Sequence, residues 1–212
     1  MVVAERLAER HFTAQHEAAT DLQRLNVGDL SPFLRGLLFT DGTVSRALEA
    51  QMLSPVAVEP LEQLSTSPPA RVARWLELQD REDCIRRRVV MTSEETSLSV
   101  WAESYVVEQR LPAGFVGVLG GSPTGIGGSL GQLKLESSRE LLWFGLGSPP
   151  PWSGVRTAAD TLTRSYRIIT QGRPALLISE AFAVEAHAGQ YELMGSGGPA
   201  AGSANGATSG SI

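Results

Sequence analysis

The sequence predicts an α+β domain whose strands pair antiparallel, and three observations predict it. Arg164 to Glu185 reads as two strands joined by a tight turn at Gln171-Gly172-Arg173-Pro174. Arg74–Gln79, Ile85–Met91 and Leu98–Val107 follow one another as strand-like runs separated by polar turns, the spacing of an antiparallel meander. Between Leu30 and Pro55 the signals are helical instead, with Ser31 as a cap and Pro32 at the first helical position.

Composition bounds what such a domain can be. The chain has 212 residues, 42% apolar and 19% charged, which describes one globular domain rather than a disordered chain. The expected division is an N-terminal helical extension over residues 1–29, the domain itself over 30–194, and a disordered Gly/Ser-rich tail over 195–212. A net charge of −5, with no Lys/Arg run longer than three, excludes a nucleic-acid footprint. One cysteine excludes an intramolecular disulfide and a thiol-rich metal site. No signal peptide, lipidation motif or 18-residue apolar run is present, so a cytoplasmic protein without membrane insertion is expected.

Taken in order, Val3 to Leu25 has a helical stripe of Leu7, Phe12, Ala19, Leu22 and Leu25. His11 and His16 lie there five apart, not three or four, so they form a solvated face and no metal site is expected. Phe33, Leu34, Leu37 and Leu38 give the next helix its buried stripe, and Thr40-Asp41-Gly42-Thr43 ends it. A second helix restarts at Thr43 or Ser45. Its N-terminus offers free N–H groups to an anion, although an ordinary helix–turn–helix connection explains the same residues. Val56–Glu59 reads as a short strand and Pro60–Ala70 as a surface loop.

Phe115–Leu119 reads as a short helix. The stretch Gly120 to Leu130 lacks Gly-Lys-Ser/Thr and a βαβ frame, which argues against a phosphate loop. A lid, or a close backbone approach to a small ligand, fits it better. Leu141–Gly147 is a strand, and Ser148–Pro151 a loop. Cys84 lies near arginines that would lower a thiol pKa, but no histidine lies nearby in sequence to act as its base.

Two strands each carry a single inward charge. Leu176, Ile178, Glu180 and Phe182 share one face of the closing strand, because side chains alternate across a strand. Ile85, Arg87, Val89 and Met91 share one face of another, with Arg86 and Arg88 on the opposite side. An isolated buried carboxylate is costly, so Glu180 needs a compensator, for which Arg87 is the candidate. Two readings stay open: a buried structural ion pair, or a closed polar site within the sheet.

The motifs together resemble the chorismate pyruvate-lyase family, in particular its longer cyanobacterial- and actinobacterial-type branch. The resemblance runs from Leu30 to Glu185. It is carried by Leu37-Leu38-Phe39-Thr40-Asp41-Gly42-Thr43-Val44-Ser45-Arg46, by Ile85 to Val90, and by Trp101-Ala102-Glu103-Ser104-Tyr105-Val106-Val107. Ile126-Gly127 followed by Leu130, and Gly172-Arg173-Pro174 through Ser179-Glu180-Ala181-Phe182, complete it. The flap stretch departs from shorter members in being rich in Gly and Ser.

The resemblance implies a six-stranded antiparallel sheet with helices packed around it and the ligand buried under helical flaps. It implies a cofactor-independent monomeric lyase that converts chorismate to 4-hydroxybenzoate and pyruvate, for quinone or phenolic-compound synthesis. Carried over, Arg87 would bind the ring carboxylate and Glu180 would face the 4-hydroxyl, either orienting it or taking the C4 proton. Backbone N–H groups near Val44, Ile126 and Gly127 would complete these contacts, and Arg139, Arg164 or Arg167 would hold the enolpyruvyl carboxylate. The alternative is a non-catalytic aromatic-acid effector-binding protein, since the ligand domains of a large group of transcription regulators share this architecture. A third reading is a relative acting on another enolpyruvyl ether.

Overall fold

Two long strands form the hairpin at the centre of the domain: β5 (Asp160–Thr170) and β6 (Arg173–His187). The computed structural model describes residues 3–79, 82–121, 125–155, 160–187 and 189–195. Apart from Gly195, the expected tail lies outside them, as do residues 80–81 of the expected polar turn and 122–124 of the glycine stretch. The other strands are β1 (Ala57–Thr66), β2 (Cys84–Thr92), β3 (Ser99–Val106), β4 (Ser138–Gly147) and β7 (Gln190–Leu193). The helices are α1 (Val3–His11), α2 (Pro32–Phe39), α3 (Val44–Met52), α4 (Ala70–Trp75), α5 (Phe115–Gly121) and α6 (Gly125–Gln132).

Gln171 and Gly172 turn the hairpin with φ of 50° and 75°, the left-handed pair that a two-residue turn between twisted strands requires. From Thr170↔Arg173 and Ile169↔Pro174 the register slips to Ile168↔Leu176, leaving Ala175 as the extra residue of a bulge. Pro174, which has no N–H to give, sits at that slip. Six antiparallel strands run in the order β1-β2-β3-β6-β5-β4, and β7 adds a seventh by pairing with the end of β6.

The two faces of β6 divide the core. Leu176, Ile178, Phe182 and Val184 join the main cluster with Leu34, Leu37, Leu38 and Leu48 of the helices. Leu177 turns to the opposite face, against Leu76, Tyr105, Leu142 and Trp143. Ser31 caps α2 by accepting from the Leu34 N–H at 3.3 Å.

Five expectations are corrected. The N-terminal helix ends at His11, because the Thr13 and Ala14 N–H groups donate to the Leu141 and Leu142 carbonyls of β4 at 3.0 and 2.9 Å. Gln23 and Leu146 then exchange both backbone hydrogen bonds, at 2.7 and 3.0 Å, so the N-terminal segment covers the β4 edge. Gly145 permits this approach: a Cβ there would stand 2.8 Å from Leu22 Cβ and 2.9 Å from the Gln23 carbonyl oxygen. At the other side of the sheet, β1 continues to Thr66 through the presumed loop. Pro60 is tolerated because β1 is the outer strand, with a register slip between Pro60 and Glu62.

Arg74–Gln79 is not a strand. α4 occupies Ala70–Trp75 and a turn with Glu77 at φ 51° follows, so Val72, Trp75, Leu76 and Leu78 all reach the reverse-face cluster. The glycine stretch from Gly125 is helical, as α6. Cys84 is fully buried, and burial pushes its thiol up to about 11, against the lowering expected from the arginines.

Arg110 anchors the region around α4. Its Nε donates to Glu82 Oε1 at 2.8 Å, Nη2 donates to Glu82 Oε2 and to the Glu77 carbonyl, and Nη1 donates to the carbonyls of Leu76 and Pro174. The guanidinium holds the Glu82 carboxyl down at about 2, from an ordinary 4.5. A depressed folded pKa contributes stability that is present above the ordinary value and lost as pH falls through the folded one. Denaturant titrations of Glu82→Gln are therefore expected to show lower stability at pH 7. They should also show a flatter loss between pH 4.5 and 2 than the wild type shows.

Candidate active site

β2, β3 and β6 present alternate residues to the helix-covered face of the sheet, and there they floor a cavity. Arg87, Val89 and Met91 come from β2, Ala102 and Ser104 from β3, and Ile178 and Glu180 from β6. Tyr166 of β5 and Arg139 of β4 wall one side. Gly42 to Ser45, entering α3, and Gly125 to Gly127, opening α6, close the other. The empty space among these residues, its open mouth included, amounts to about 550 Å³.

The two inward charges read from strand periodicity both reach this cavity, but they are not partners. β3 lies between them, pairing Ser104 with Arg87 on one side and Ala102 with Glu180 on the other. Glu180 is compensated by Arg164, its directly opposed residue on β5: Arg164 Nε donates to Glu180 Oε2 at 2.8 Å. Arg164 is fully buried. Its Nη1 donates to the carbonyls ending α2, at 3.2 Å to Leu38 and 3.0 Å to Thr40, with Leu37 a third acceptor. The second oxygen of Glu180 accepts from Tyr166 Oη at 3.1 Å.

Arg87 is only 2% exposed, no carboxylate pairs with it among the described residues, and its buried Nε has no hydrogen-bond partner. Burial holds its pKa below the ordinary arginine value, the mark of a cation desolvated without compensation. Arg139 donates from Nη1 to the Asp41 carbonyl, while its buried Nε is likewise unpartnered. Thr43 starts α3 without a side-chain cap bond, so the first N–H groups of a nine-residue helix remain available at the cavity wall.

The predicted site residues therefore separate. Arg87, Glu180, Val44, Ile126, Gly127 and Arg139 converge on the cavity. Arg164 stands behind Glu180, outside the lining. Arg167 faces the reverse side of the sheet, where it is held by Glu140 at 2.6 Å and Glu77 at 2.9 Å. Tyr166 and Ser104 were not anticipated; Tyr166 shares strand parity with Arg164, which was the available signal. Among the described residues no group of three or more His, Cys, Asp or Glu could hold a metal ion, and no helix is long and apolar enough to cross a membrane.

A further cavity lies on the reverse face between Tyr105, Trp143 and the proline loop. Two of its charged groups already have partners: Glu103 pairs with Arg88 at 2.6 Å, and Arg71 lies 4.2 Å over the Trp143 ring. The helix-covered cavity differs in keeping one buried guanidinium unpaired. With Glu180 neutralised by Arg164, its remaining charge is positive, supplied by Arg87, Arg139 and the α3 N-terminus. It suits a small ligand carrying more than one negative group.

A family model described as chorismate pyruvate-lyase Rv2949c-like matches residues 38–189. No curated protein matches the chain. Among solved structures, PhnF from Mycobacterium smegmatis is similar at 10% identity and a TM-score of 0.54, over 68% of this chain and 64% of that one. The effector domain of the same protein is similar at 10% identity and a TM-score of 0.52, over 67% of this chain and 88% of that domain. The chain described as a possible transcriptional regulator, YydK from Bacillus subtilis, aligns at 16% identity and a TM-score of 0.47, over 59% of this chain and 57% of its own length. The two PhnF similarities establish a shared fold, an antiparallel sheet with helices packed around it.

Removing one partner of a buried pair leaves the other charge uncompensated, at a cost of about 3–5 kcal/mol. Arg164→Met is expected to lose stability on that scale in denaturant unfolding. Adding Glu180→Gln should recover part of the loss in a double-mutant cycle, because the stranded charge is then gone.

Proposed function

The chain belongs to the Rv2949c-like chorismate pyruvate-lyase family, and from that premise we propose that it cleaves chorismate to 4-hydroxybenzoate and pyruvate. The observation that carries the reading is Arg87, a buried guanidinium left unpaired across a cavity from an already neutralised Glu180. Chorismate is a dianion, and the cavity's surplus of positive charge answers both of its carboxylates. Arg87 takes the ring carboxylate, since its planar fork meets a carboxylate through two parallel bonds. The N–H groups at Val44, Ile126 and Gly127 complete that contact and hold the ring. Arg139, whose Nε is free of any partner, takes the enolpyruvyl carboxylate.

Glu180 faces the 4-hydroxyl end of the ring. Arg164 pairs with this carboxylate and fixes it in place without touching substrate. Loss of the enolpyruvyl group aromatises the ring, so the chemistry runs downhill and asks for no redox partner. The protein's part is to hold the ether in a reactive geometry and to stabilise charge at the departing oxygen. The same reading makes the protein a cytoplasmic monomer whose product enters quinone or phenolic-compound synthesis.

Purified protein incubated with chorismate is expected to release pyruvate and 4-hydroxybenzoate in equal amounts, followed by a coupled assay and by absorbance. Arg87→Ala should lower kcat/KM by about 10²-fold, the loss expected for charge-assisted hydrogen bonds to a carboxylate. Glu180→Ala should abolish turnover while the fold survives. A protein that binds 4-hydroxybenzoate but leaves chorismate intact would instead be an aromatic-acid binding protein.

A further inference from the structure

Glu180 and the phenol of Tyr166 are joined by one hydrogen bond, and both line the cavity. Tyr166 is 4% exposed, and the bond to Glu180 Oε1 is its one described side-chain hydrogen bond. Packing alone would be served by phenylalanine here, because the ring already meets the Arg164 guanidinium at 5.0 Å and that of Arg139 at 5.9 Å. The hydroxyl therefore calls for a chemical explanation. Its neighbours supply one: the carboxylate at the 4-hydroxyl end of the ring lies on one side, and the arginine assigned to the enolpyruvyl carboxylate on the other.

We propose that Tyr166 and Glu180 form a two-member proton relay: Glu180 takes the proton that leaves C4 of the ring, Tyr166 protonates the methylene carbon of the departing enolpyruvyl group, and their hydrogen bond returns the ring proton to Tyr166. This inference rests on the lyase reading above. Glu180 forms an O–H bond with the C4 proton, and the C4–H electron pair becomes a ring π-bond. The C3–O ether bond breaks with its electron pair on oxygen. As that oxygen becomes the ketone of pyruvate, the methylene carbon takes the phenolic proton of Tyr166. Glu180 then returns its proton to the phenolate across their existing hydrogen bond, and both groups are restored. Each cycle takes one proton from the ring and gives one to the methyl carbon, and no oxidant, reductant or further reactant is consumed.

The surroundings fit both halves of the cycle. Burial foremost, then the Glu180 carboxylate, push the Tyr166 phenol above its ordinary value, so it enters the cycle protonated. The nearby Arg164 and Arg139 guanidiniums oppose that shift and would support the transient phenolate. Neither group needs solvent to be recharged.

The test compares wild type with Tyr166→Phe, which keeps the ring and removes only the hydroxyl, on chorismate deuterated at C4. Pyruvate is captured as it forms by lactate dehydrogenase and NADH, and its methyl group is read by mass. A relay predicts deuterium in the methyl group with wild type from the second turnover onward, because the ring deuteron reaches the Tyr166 phenol only when Glu180 returns it. For Tyr166→Phe it predicts kcat about 10²–10⁴-fold lower, the usual range of acid–base catalysis. KM and 4-hydroxybenzoate binding should stay within a few-fold of wild type, and the methyl deuterium should be lost. Turnover by Tyr166→Phe within two-fold of wild type overturns the relay, as does deuterium retained in its pyruvate, which would mean direct transfer within the substrate. A wild-type methyl group free of deuterium also overturns it. A wild type that never consumes chorismate overturns the lyase reading itself, and the relay with it.

Discussion

The buried pair of Arg164 and Glu180 is the constraint to which the rest of the site answers. A carboxylate 5% exposed on the second strand of the hairpin would be untenable alone, and the opposed strand supplies the cation. Because the same guanidinium also takes the carbonyls at the end of α2, one side chain ties a strand, a helix end and the loop into α3. The cavity wall built by Gly42 to Ser45 is thus held in register with the floor. Arg139 repeats the device from β4 through the Asp41 carbonyl. Once Glu180 has its own counter-ion, the charge of Arg87 is left over, and that surplus distinguishes this cavity from the one on the reverse face.

Much of this was legible in the sequence. Period-two alternation alone singled out Arg87 and Glu180 as inward charges, and both meet in one cavity. Their relationship was not legible. A plain two-residue turn continued from Thr170↔Arg173 and Ile169↔Pro174 would set Arg164 opposite Ser179, on the wrong face. The slip at Ala175 moves it opposite Glu180. Nothing in a run of Pro, Ala and Leu announces a bulge, so the pairing that matters most was invisible to periodicity.

Other differences have equally local causes. Arg74–Gln79 alternates like a strand, yet tertiary packing of Trp75 and Leu76 draws it into a helix and turn. Pro60 reads as a loop signal, but an outer strand tolerates it. The glycines of α6 read as a lid or as a close backbone approach to a small ligand, and one of them makes a close approach within the protein: a Cβ on Gly127 would lie 2.8 Å from Thr43 Oγ1. The helix therefore seats directly on the residue that begins α3, and the two helix N-termini share one end of the cavity.

The two borders of the sheet are treated differently, and this bears on how the protein behaves when crowded with copies of itself. The β4 border is sealed by the protein's own N-terminal segment, which uses its backbone groups from Leu141 to Leu146. Of the two outer strands of the six-strand path, that leaves β1, which among the described residues pairs only with β2. There the ladder is interrupted by Pro60, which offers no N–H, and by the slip that follows it, while Glu59 and Glu62 add charge. A sheet with one border occupied and the other broken is a poor template for its own propagation, so its resistance to fibre-like stacking is written into its margins rather than its core.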